Sequence, residues 1–516
     1  MIRKRKRQPF PTSSWSVLRS EEAGSVRKMW IGGDWLEAES GDSFDVENPA
    51  TEEVLDSVPR AGATDVDRAV GAAVRAFGGW WKVPGSEKAD LLHGVANRLR
   101  EGKDAMARTM TREGGKPLLE NLDEVDWCAA CFDYYAEIGR NDRGRVIAPV
   151  REHQFNFVIK EPYGVVAAIV PWNYPLLLLS WKLAPALAAG NTVVVKPSEY
   201  TPLSTLMLDK VFEHLPPGTV NIVTGFGETG EALVTHPDVD VVAFTGSVET
   251  GRRIAKAAAD QLKKLHLELG GNDPFIVCDD VDVDIAAQGA AFAAFLNMGQ
   301  VCTSAERFYV FEKVADRFLD KFSSVAQSLR LGDPMGPDID LGPMVSAAQR
   351  SKVERKLAAA TEEGAELVTG GKRPKGFTKG YFFEPTIVTG VNHSMRLMKE
   401  ETFGPIAPVM IVKGIDEAIR LANDSKYGLG ASIYTNNLEY AMTAAANIRA
   451  GTFWINDPLT DNEAGPFGGM RLSGMGRELG VEGLEEFRDT KHIHLDYKIR
   501  RMPDWFPYDW SSIKQS

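Results

Sequence analysis

The sequence contains little cysteine. Its 516 residues include only four, Cys128, Cys131, Cys278 and Cys302. So few thiols exclude a disulfide-dense secreted scaffold and are typical of a reducing compartment, so we expect a cytoplasmic protein. Cys128 and Cys131 form a C-x-x-C pair inside a helical pattern, and no second Cys/His pair lies near them in the sequence. We therefore interpret both as packed core thiols and expect no metal site.

Long apolar runs and positive net charge are also missing. The richest apolar stretch, residues 165–179, is broken by Pro171, Asn173 and Pro175, so no membrane span is predicted. The formal net charge of −12 disfavours general nucleic-acid binding. A run of five cations at residues 3–7 is the exception, and no apolar segment follows it as in a secretory signal. We interpret it as a solvated tail, with a contact to membrane or nucleic acid as the minority alternative.

The pattern of the first 140 residues is helical after a short extended start. The chain is long enough for two or three domains, and its folded body begins near Trp30 after a basic extension at 1–28. Between residues 64 and 138 the pattern predicts helices. In the last of them, apolar residues recur at intervals of three and four, namely Leu118, Leu122, Val125, Ala129, Phe132 and Ala136.

From residue 164 onward, short apolar runs alternate with helical stretches. Strands are predicted at 165–170, 192–195, 220–223, 241–244 and 264–267, with helices near 176–188, 201–214, 228–235 and 248–262. Such alternation predicts crossover units and a parallel sheet. A second alternation from 282 to 455, with strands at 308–311 and 409–412, predicts a second α/β domain.

Two neighbouring strand-to-helix loops indicate a nucleotide site. Gly225–Gly230 (GFGETG) matches G-x-G-x-x-G, and the N–H groups that open the following helix favour a bound anion. Phe244–Gly251 (FTGSVETG) also joins a predicted strand to a helix, and Ser247 is a plausible N-cap. Either loop alone is equally well a tight turn, but two in one alternating segment favour a dinucleotide.

One thiol and one carboxylate lie among small residues 34 positions apart. Cys302 is part of Gly299–Ser304 (GQVCTS), and Glu268 is part of Leu267–Gly271 (LELGG). Covalent oxidation of an aldehyde needs this pair, because a thiolate attacks the carbonyl and a base later delivers water. A lone Cys is weak support, since most free Cys side chains are small buried hydrophobes.

Seven motifs resemble those of the aldehyde dehydrogenase superfamily, in that family's order, over roughly residues 29–490. They are Pro171–Pro175 (PWNYP), Lys196–Glu199 (KPSE), Phe244–Ser247 (FTGS), Leu267–Gly271 (LELGG), Gly299–Cys302 (GQVC), Glu400–Pro405 (EETFGP) and Pro466–Gly469 (PFGG). The resemblance implies an α/β fold with a parallel-sheet NAD-binding domain at 29–147 and 165–270 and a catalytic domain at 271–470. A β-hairpin oligomerisation arm at 148–164 and 486–500, a tail at 501–516, and a homodimer or homotetramer are also implied.

The resemblance also implies catalytic roles. Cys302 would be the nucleophile, Glu268 the base for water, and the Asn173 side chain an oxyanion donor together with the main-chain N–H of Cys302. Lys182 and Glu478 would be either a proton relay for Glu268 or a structural ion pair. Because family members that acylate coenzyme A typically lack a carboxylate at the position of Glu268, water is the expected acceptor.

A cofactor set follows from the same motifs. Lys196 and Glu199 would hold the adenosine ribose, and Glu199 favours NAD over NADP because a 2′-phosphate would meet like charge. The full implied set is Pro171, Trp172, Lys196, Glu199 and Gly225, then Gly246, Ser247, Glu401 and Phe403. In it Ser247 and Trp172 would contact the pyrophosphate, Gly225 would lie near the adenosine, and Glu401 and Phe403 near the nicotinamide.

The identity of the aldehyde is the least specific prediction. By position, the substrate tunnel would be lined by Trp127, Tyr174, Trp181, Leu296 and Phe467. Tyr174 and Trp181 match an aromatic box seen in betaine aldehyde and aminoaldehyde dehydrogenases, where ring faces attract a cation. Leu296 and Phe467 depart from that box, since each stands in place of a Trp.

Cationic aldehydes and bulky apolar aldehydes are therefore equally supported as candidate substrates. A succinate-semialdehyde-type dehydrogenase is an alternative, although no Arg is obviously placed for a distal carboxylate. A non-catalytic structural protein or a nucleic-acid-binding protein is a remote alternative, because the reactive side chains are all retained.

Overall fold

The computed structural model describes residues 27–141, 144–502 and 505–508. Two large sheets with flanking helices, a three-stranded sheet and a two-stranded ribbon account for its strands. Most of the predicted extension at 1–28, including the cations at 3–7, lies outside these residues, as does most of the predicted tail at 501–516.

The first 140 residues form the expected helical layer. Pro84 and Pro117 each stand directly before a helix, where a missing N–H is harmless, and Gly115 ends the second helix at φ 81°. The elements are β1 (Met29–Ile31), β2 (Asp34–Leu36), β3 (Ser43–Asn48), β4 (Glu53–Pro59), α1 (Ala63–Trp81), α2 (Gly85–Gly114), α3 (Leu118–Gly139), β5 (Gly144–Ile147) and β6 (Gln154–Pro162).

The next segment alternates strands and helices as predicted, except that the helix expected at 201–214 is two short helices. Its elements are β7 (Val165–Ile169), α4 (Pro175–Ala189), β8 (Thr192–Lys196), α5 (Pro202–Leu206), α6 (Asp209–Phe212), β9 (Val220–Ile222), α7 (Gly227–Thr235), β10 (Val241–Gly246), α8 (Val248–Ala259) and β11 (Lys264–Leu269).

The remaining chain forms the second large sheet and adds one strand each to the first sheet and to the three-stranded sheet. Its first part contains β12 (Asp273–Val277), α9 (Val283–Phe295), β13 (Ala305–Phe311), α10 (Ala315–Ser328), α11 (Ala347–Glu362), β14 (Glu366–Thr369), β15 (Thr386–Thr389) and β16 (Ile406–Val412). Its second part contains α12 (Ile415–Asn423), β17 (Gly430–Tyr434), α13 (Leu438–Asn447), β18 (Thr452–Ile455), β19 (Gly474–Met475), α14 (Gly480–Glu485) and β20 (Arg488–Asp496).

The order of the strands explains where a site can form. The first sheet runs β19-β11-β10-β7-β8-β9-β1-β2 and the second β14-β15-β16-β13-β12-β17-β18. Strands β7, β8 and β10 are parallel and buried along nearly all their length, which accounts for their continuous apolar runs. The predicted α/β class is confirmed. The carboxyl ends of such strands are the usual ligand-binding edge.

A third sheet joins two distant parts of the chain. Strand β20 pairs antiparallel with β6 along its whole length, and β5 pairs with the other edge of β6. These strands fall mainly in the segments expected to form an oligomerisation arm, although β5 precedes residue 148. The division of the chain into domains stays a prediction. None of the helices in the described ranges is both long and apolar enough to cross a membrane.

Candidate active site

A pocket lies at the carboxyl edge of the first sheet, and Cys302 reaches it from the second. Asn173 follows β7, Ser247 follows β10, and Glu268 lies near the end of β11 opposite Thr245. The pocket is lined by Pro171, Trp172, Asn173, Thr245, Gly246, Ser247, Glu268, Leu269, Gly270, Cys302, Gln349, Lys352, Glu401 and Phe403.

A strained turn presents the thiol. Asn297, Met298 and Gly299 have φ values of 47°, 61° and 67°, a left-handed run that non-Gly residues rarely adopt. A Cβ at Gly299 would come within 2.5 Å of the Gly404 carbonyl oxygen, so this position needs glycine. The turn links α9 to β13, and it places Cys302 just before the central strand of the second sheet.

The surroundings of Cys302 keep its thiol protonated in the resting site. Burial raises the pKa of Cys302 well above its usual value, and the nearby carboxyls of Glu268 and Asp461 raise it further. The other three cysteines are fully buried, whereas Cys302 is partly accessible from the pocket. An electrophile in the pocket therefore meets this sulfur alone among the four.

Glu268 is a buried carboxyl with few partners. Burial raises its pKa well above the ordinary range, and the neighbouring charge of Glu478 raises it again. Neither carboxyl oxygen has a well-formed hydrogen bond to another described residue, although the Cys302 thiol is close enough to lower the pKa. A carboxyl with a raised pKa is a better proton acceptor once it is ionised.

The Asn173 side chain bridges towards the loop that carries Cys302. Its Nδ2 donates to the main-chain carbonyl of Gln300 at 3.1 Å. An amide nitrogen has two N–H groups, so the second is left for a ligand in the pocket. The main-chain carbonyl oxygen of Asn173 accepts hydrogen bonds from the Lys116 ammonium at 3.2 Å and from the Asn297 side-chain amide at 3.3 Å. Asn173 is thereby fixed between the α2–α3 connection and the turn that precedes Cys302.

Lys182 and Glu478 form a buried ion pair behind Glu268. The ammonium of Lys182 contacts the Glu478 carboxylate and donates to Thr245 Oγ1 at 2.6 Å. Thr245 is paired with Glu268 in the sheet. The pair thus acts on Glu268 through its charges and not through a direct hydrogen bond. The relay and the purely structural role both remain predictions.

The wall opposite the sheet is built around Phe403. The centroid of its ring lies 5.4 Å from the centroid of the Trp172 ring, and the two rings meet edge to face. Glu401 reaches back to accept the N–H of Gly271 at 3.2 Å, and burial raises the pKa of this carboxyl to about 8. Ser247 caps α8 by accepting the N–H of Thr250 at 3.2 Å, as predicted. The rings of Trp172 and Phe403 and the N-terminus of α8 therefore lie around the same pocket.

The residues predicted for the adenosine end lie apart from this pocket. Lys196 ends β8, and its buried ammonium donates to the Pro197 carbonyl at 2.9 Å, with no carboxylate within ion-pairing distance among the described residues. The side chain of Lys196 passes beside Gly230 in α7. Glu199, which is half-buried, follows three residues later. Gly225 lies outside the pocket lining, at the turn that opens α7.

The predicted substrate residues are distributed over three environments. Trp181 and Phe467 are buried and pack together with ring centroids 5.0 Å apart. Trp127 and Leu296 are half-buried. Burial raises the pKa of Tyr174 well above its usual value, and the nearby groups of Glu120, Glu124, Cys302 and Asp461 raise it further.

One face of the Tyr174 ring is already occupied. The ammonium of Lys116 lies 3.6 Å from the ring centroid. This cation–π contact leaves only the opposite face for a cationic substrate.

Sequence reasoning missed several residues of the site. Gln349 and Lys352 line the pocket from α11, and Gln349 donates to the Phe403 carbonyl at 2.8 Å. Lys116 and Gln300 contact Asn173 from outside the lining. Gln300 lies inside the quoted GQVC motif, so its position was the one available signal. No group of three His, Cys, Asp or Glu side chains in the described ranges is suited to hold a metal ion.

This chain belongs to the aldehyde dehydrogenase family, whose model matches residues 35–493, so the resemblance seen in the motifs is confirmed. It is 43% identical over 478 residues to betaine aldehyde dehydrogenase 1 of Oryza sativa subsp. japonica, covering 90% of this chain and 95% of that protein. It is 41% identical to the peroxisomal aminoaldehyde dehydrogenase 1 of Pisum sativum, covering 91% and 95%.

Solved structures show the same fold. Betaine aldehyde dehydrogenase of Staphylococcus aureus, crystallised with NAD+, is similar at a TM-score of 0.91 and 37% identity, covering 93% of this chain and 97% of that one. A structure described as an E. coli NADP-dependent enzyme is similar at a TM-score of 0.89 and 40% identity, covering 91% and 98%.

Proposed function

We propose that the protein oxidises an aldehyde to its carboxylic acid, with NAD+ as the hydride acceptor and water as the acyl acceptor. The observation that carries this proposal is the convergence of the Cys302 thiol, the Glu268 carboxyl and the Asn173 amide on one pocket. A nucleophile, a base and an oxyanion donor are the three parts that the reaction needs.

The first half of the reaction acylates the enzyme. Cys302 attacks as the thiolate, after its proton has passed to solvent: Sγ forms a bond to the aldehyde carbon, and the electron pair of the C=O π bond moves onto oxygen. The oxygen of the adduct becomes negative and accepts hydrogen bonds from Asn173 Nδ2 and the Cys302 N–H. Loss of one such donor typically lowers the rate by about 10²–10³-fold. A bound NAD+ would supply the hydride acceptor, and loss of the hydride from the adduct carbon would leave a thioester on Cys302.

The second half releases the acid. Glu268 removes a proton from water, and the resulting hydroxide attacks the thioester carbon. The carbon–sulfur bond breaks, the carboxylic acid departs, and Cys302 regains a proton. Lys182 lowers the pKa of Glu268 and Glu478 raises it, so this ion pair adjusts the base in either role.

The residues present fit a dinucleotide. Lys196 has N–H donors to spare beyond its single hydrogen bond to Pro197, and Glu199 beside it supplies acceptors, a combination suited to ribose hydroxyls. Ser247 at the start of α8 is suited to a phosphate. A carboxylate at 199 would repel a 2′-phosphate, so we propose a preference for NAD+ over NADP+.

For the substrate we propose a small aldehyde with a distal cation. The support is the similarity to enzymes named for betaine aldehyde and aminoaldehydes, together with two carboxyls near Tyr174. Burial raises the pKa values of Glu120 and Asp461 to about 7 each. A cation beside them would favour their ionised forms. Bulky apolar aldehydes remain the second candidate, because Leu296 and Phe467 are apolar at positions where the aromatic box would have Trp.

Trapping the acyl-enzyme tests the proposed function. In Glu268→Gln the first hydride transfer should proceed while hydrolysis stalls, giving a burst of NADH without steady turnover. Peptide mass mapping should then find the acyl group on Cys302, with Cys128, Cys131 and Cys278 as internal controls. Cys302→Ala should produce no NADH. An adduct on another side chain, or full turnover in Cys302→Ala, would contradict the mechanism.

A substrate panel tests the specificity. Rates of NADH formation should be highest for betaine aldehyde or 4-aminobutanal, and lower for benzaldehyde, a terpenoid aldehyde, hexanal and succinate semialdehyde. A preference for the apolar members would favour the second candidate instead.

The assembly and the location are also proposals. We propose a homodimer or homotetramer that uses the sheet of β5, β6 and β20. We propose a cytoplasmic location, because all four cysteines are free thiols.

A further inference from the structure

A buried ion pair lies directly behind the wall that carries Asn173. Lys116, two residues before α3, contacts the Glu124 carboxylate inside that helix, and their side chains are only 4% and 0% exposed. Neither residue lines the pocket. Burying two charges is costly in free energy, and an apolar pair would stabilise a core at least as well. The position of the pair therefore calls for a role beyond stability.

The Lys116 ammonium contacts three partners. It contacts the Glu124 carboxylate and donates to the main-chain carbonyl of Asn173 at 3.2 Å. The ammonium also lies 3.6 Å from the centre of the Tyr174 ring. Two of these partners are consecutive residues, so Lys116 fixes the short segment that precedes α4.

Glu124 holds the same segment from its other end. Its second oxygen accepts the N–H of Leu176 at 2.9 Å and that of Leu177 at 3.0 Å. These N–H groups belong to the first turn of α4, where a negative charge is favourable. Residues 173–177 are thus bound to one ion pair at both ends.

The opposite side of this segment meets the nucleophile loop. The Asn297 side chain donates to the Asn173 carbonyl at 3.3 Å, and Asn173 Nδ2 donates to the Gln300 carbonyl at 3.1 Å. Asn173 is therefore clamped between Lys116 and the turn that carries Cys302. A displacement of Lys116 changes where the Asn173 amide points relative to the sulfur.

We infer that Lys116, held by Glu124, is a positioning residue that sets the Asn173 amide as oxyanion donor for the Cys302 adduct. This inference rests on the proposed function of Asn173. Lys116 does not touch the substrate; it acts through the peptide of Asn173. A misplacement of about 1 Å at a reacting centre lowers a rate by about 10²-fold, which sets the scale of the effect.

A double-mutant cycle distinguishes positioning from general support. We expect Lys116→Met to lower kcat by about 10- to 100-fold, with little change in the affinity for NAD+. In an Asn173→Ala background the same substitution should change kcat by less than about 2-fold, because its target is already gone. Lys103→Met, which removes a surface ion pair with Asp126 between α2 and α3, is the matched control and should keep wild-type kcat.

A second variant covers the case in which Lys116→Met does not fold. Lys116→Met combined with Glu124→Gln removes both charges and keeps an acceptor for the amides of α4. We expect it to fold with a low kcat and with an unchanged rate of Cys302 alkylation by iodoacetamide. Wild-type kcat in this double variant, or an equal loss with and without Asn173, would overturn the inference. Absence of NADH formation by the wild-type protein would instead refute the proposed function.

Discussion

Glu306 holds the left-handed turn at Phe403. Its carboxylate accepts the main-chain N–H of Phe403 at 2.7 Å and that of Thr402 at 2.8 Å. Phe403 has a φ of 54°, an unfavourable value for an aromatic residue, so the turn depends on such contacts. A buried side chain on β13 thereby fixes a ring that faces Trp172 across the pocket.

Removing this carboxylate should weaken cofactor binding. Glu306→Ala leaves the N–H groups of Thr402 and Phe403 and the side-chain amide of Asn272 without this acceptor, which costs about 1–3 kcal/mol for each. We expect the turn to relax and the Kd for NAD+ to rise about 10-fold, which is about 1.4 kcal/mol. Titration of NAD+ by protein fluorescence measures it. Glu312→Ala, an exposed residue directly after the same strand, is the control, and an equal effect there would contradict the explanation.

The reactivity of Cys302 should depend on Glu268 in a defined direction. The negative charge of Glu268 raises the pKa of the thiol, so Glu268→Gln should lower it. The rate of alkylation by iodoacetamide follows the thiolate fraction, so it should rise with pH and reach its midpoint above pH 9 in the wild type. In Glu268→Gln the midpoint should lie at lower pH. A midpoint that moves upward would show that Glu268 acts on the thiol in another way.

The same pKa directions predict the pH dependence of turnover. Thiolate and carboxylate are the active forms, and the pKa values of both groups are raised. We therefore expect kcat to increase from neutral to alkaline pH. A rate that is constant between pH 6 and 9 would contradict this prediction.

Cofactor choice should respond to Glu199. Glu199→Ser removes the charge that repels a 2′-phosphate and one acceptor for the ribose hydroxyls. We expect kcat/KM for NADP+ to rise about 10-fold, equivalent to about 1.4 kcal/mol, and that for NAD+ to fall. Glu213→Ser, which breaks an ion pair between the exposed Glu213 and Arg98 outside the predicted cofactor set, should have a much smaller effect. Equal shifts in the two variants would mean that Glu199 has no special contact.

Replacing Arg307, which lies on β13 in the second sheet, should strongly destabilise the protein. Arg307 is 1% exposed, and its guanidinium donates to the carbonyls of Asn272 at 2.8 Å and of Leu421 and Ala422 at 3.1 Å. Arg307→Met should lower the free energy of unfolding by about 3 kcal/mol or more, measured in urea. Arg317→Met, which breaks an exposed pair with Asp284, should change it by less than about 1 kcal/mol.

The sequence predicted what depends on local pattern. Parallel strands such as β7 and β8 are buried along their whole length, so their apolar runs identified them directly. Glu268 and Cys302 belong to short motifs that carry reactive groups in glycine-rich surroundings, so each could be named without any knowledge of the fold. The structure was needed to show that both side chains line the same pocket.

Contacts between distant residues could not be predicted. Lys116 meets Asn173 across 57 positions, and Glu306 meets Phe403 across 97, with no periodicity that connects them. Gly225 illustrates a different limit: its G-x-G-x-x-G match predicts a phosphate loop, yet Ser247 lines the pocket and Gly225 does not. A motif indicates a local backbone shape, and which of the two loops contacts the pyrophosphate stays a prediction.

The turn before Cys302 limits how this enzyme can diversify. Three consecutive left-handed residues, and the Gly404 carbonyl that a Cβ at position 299 would meet, leave this turn little tolerance for substitution. New aldehydes must therefore be accommodated by changes elsewhere, at side chains such as Trp127 on α3 or Asp461 in the loop after β18. Directed evolution of substrate range should accumulate substitutions there and leave residues 297–299 untouched.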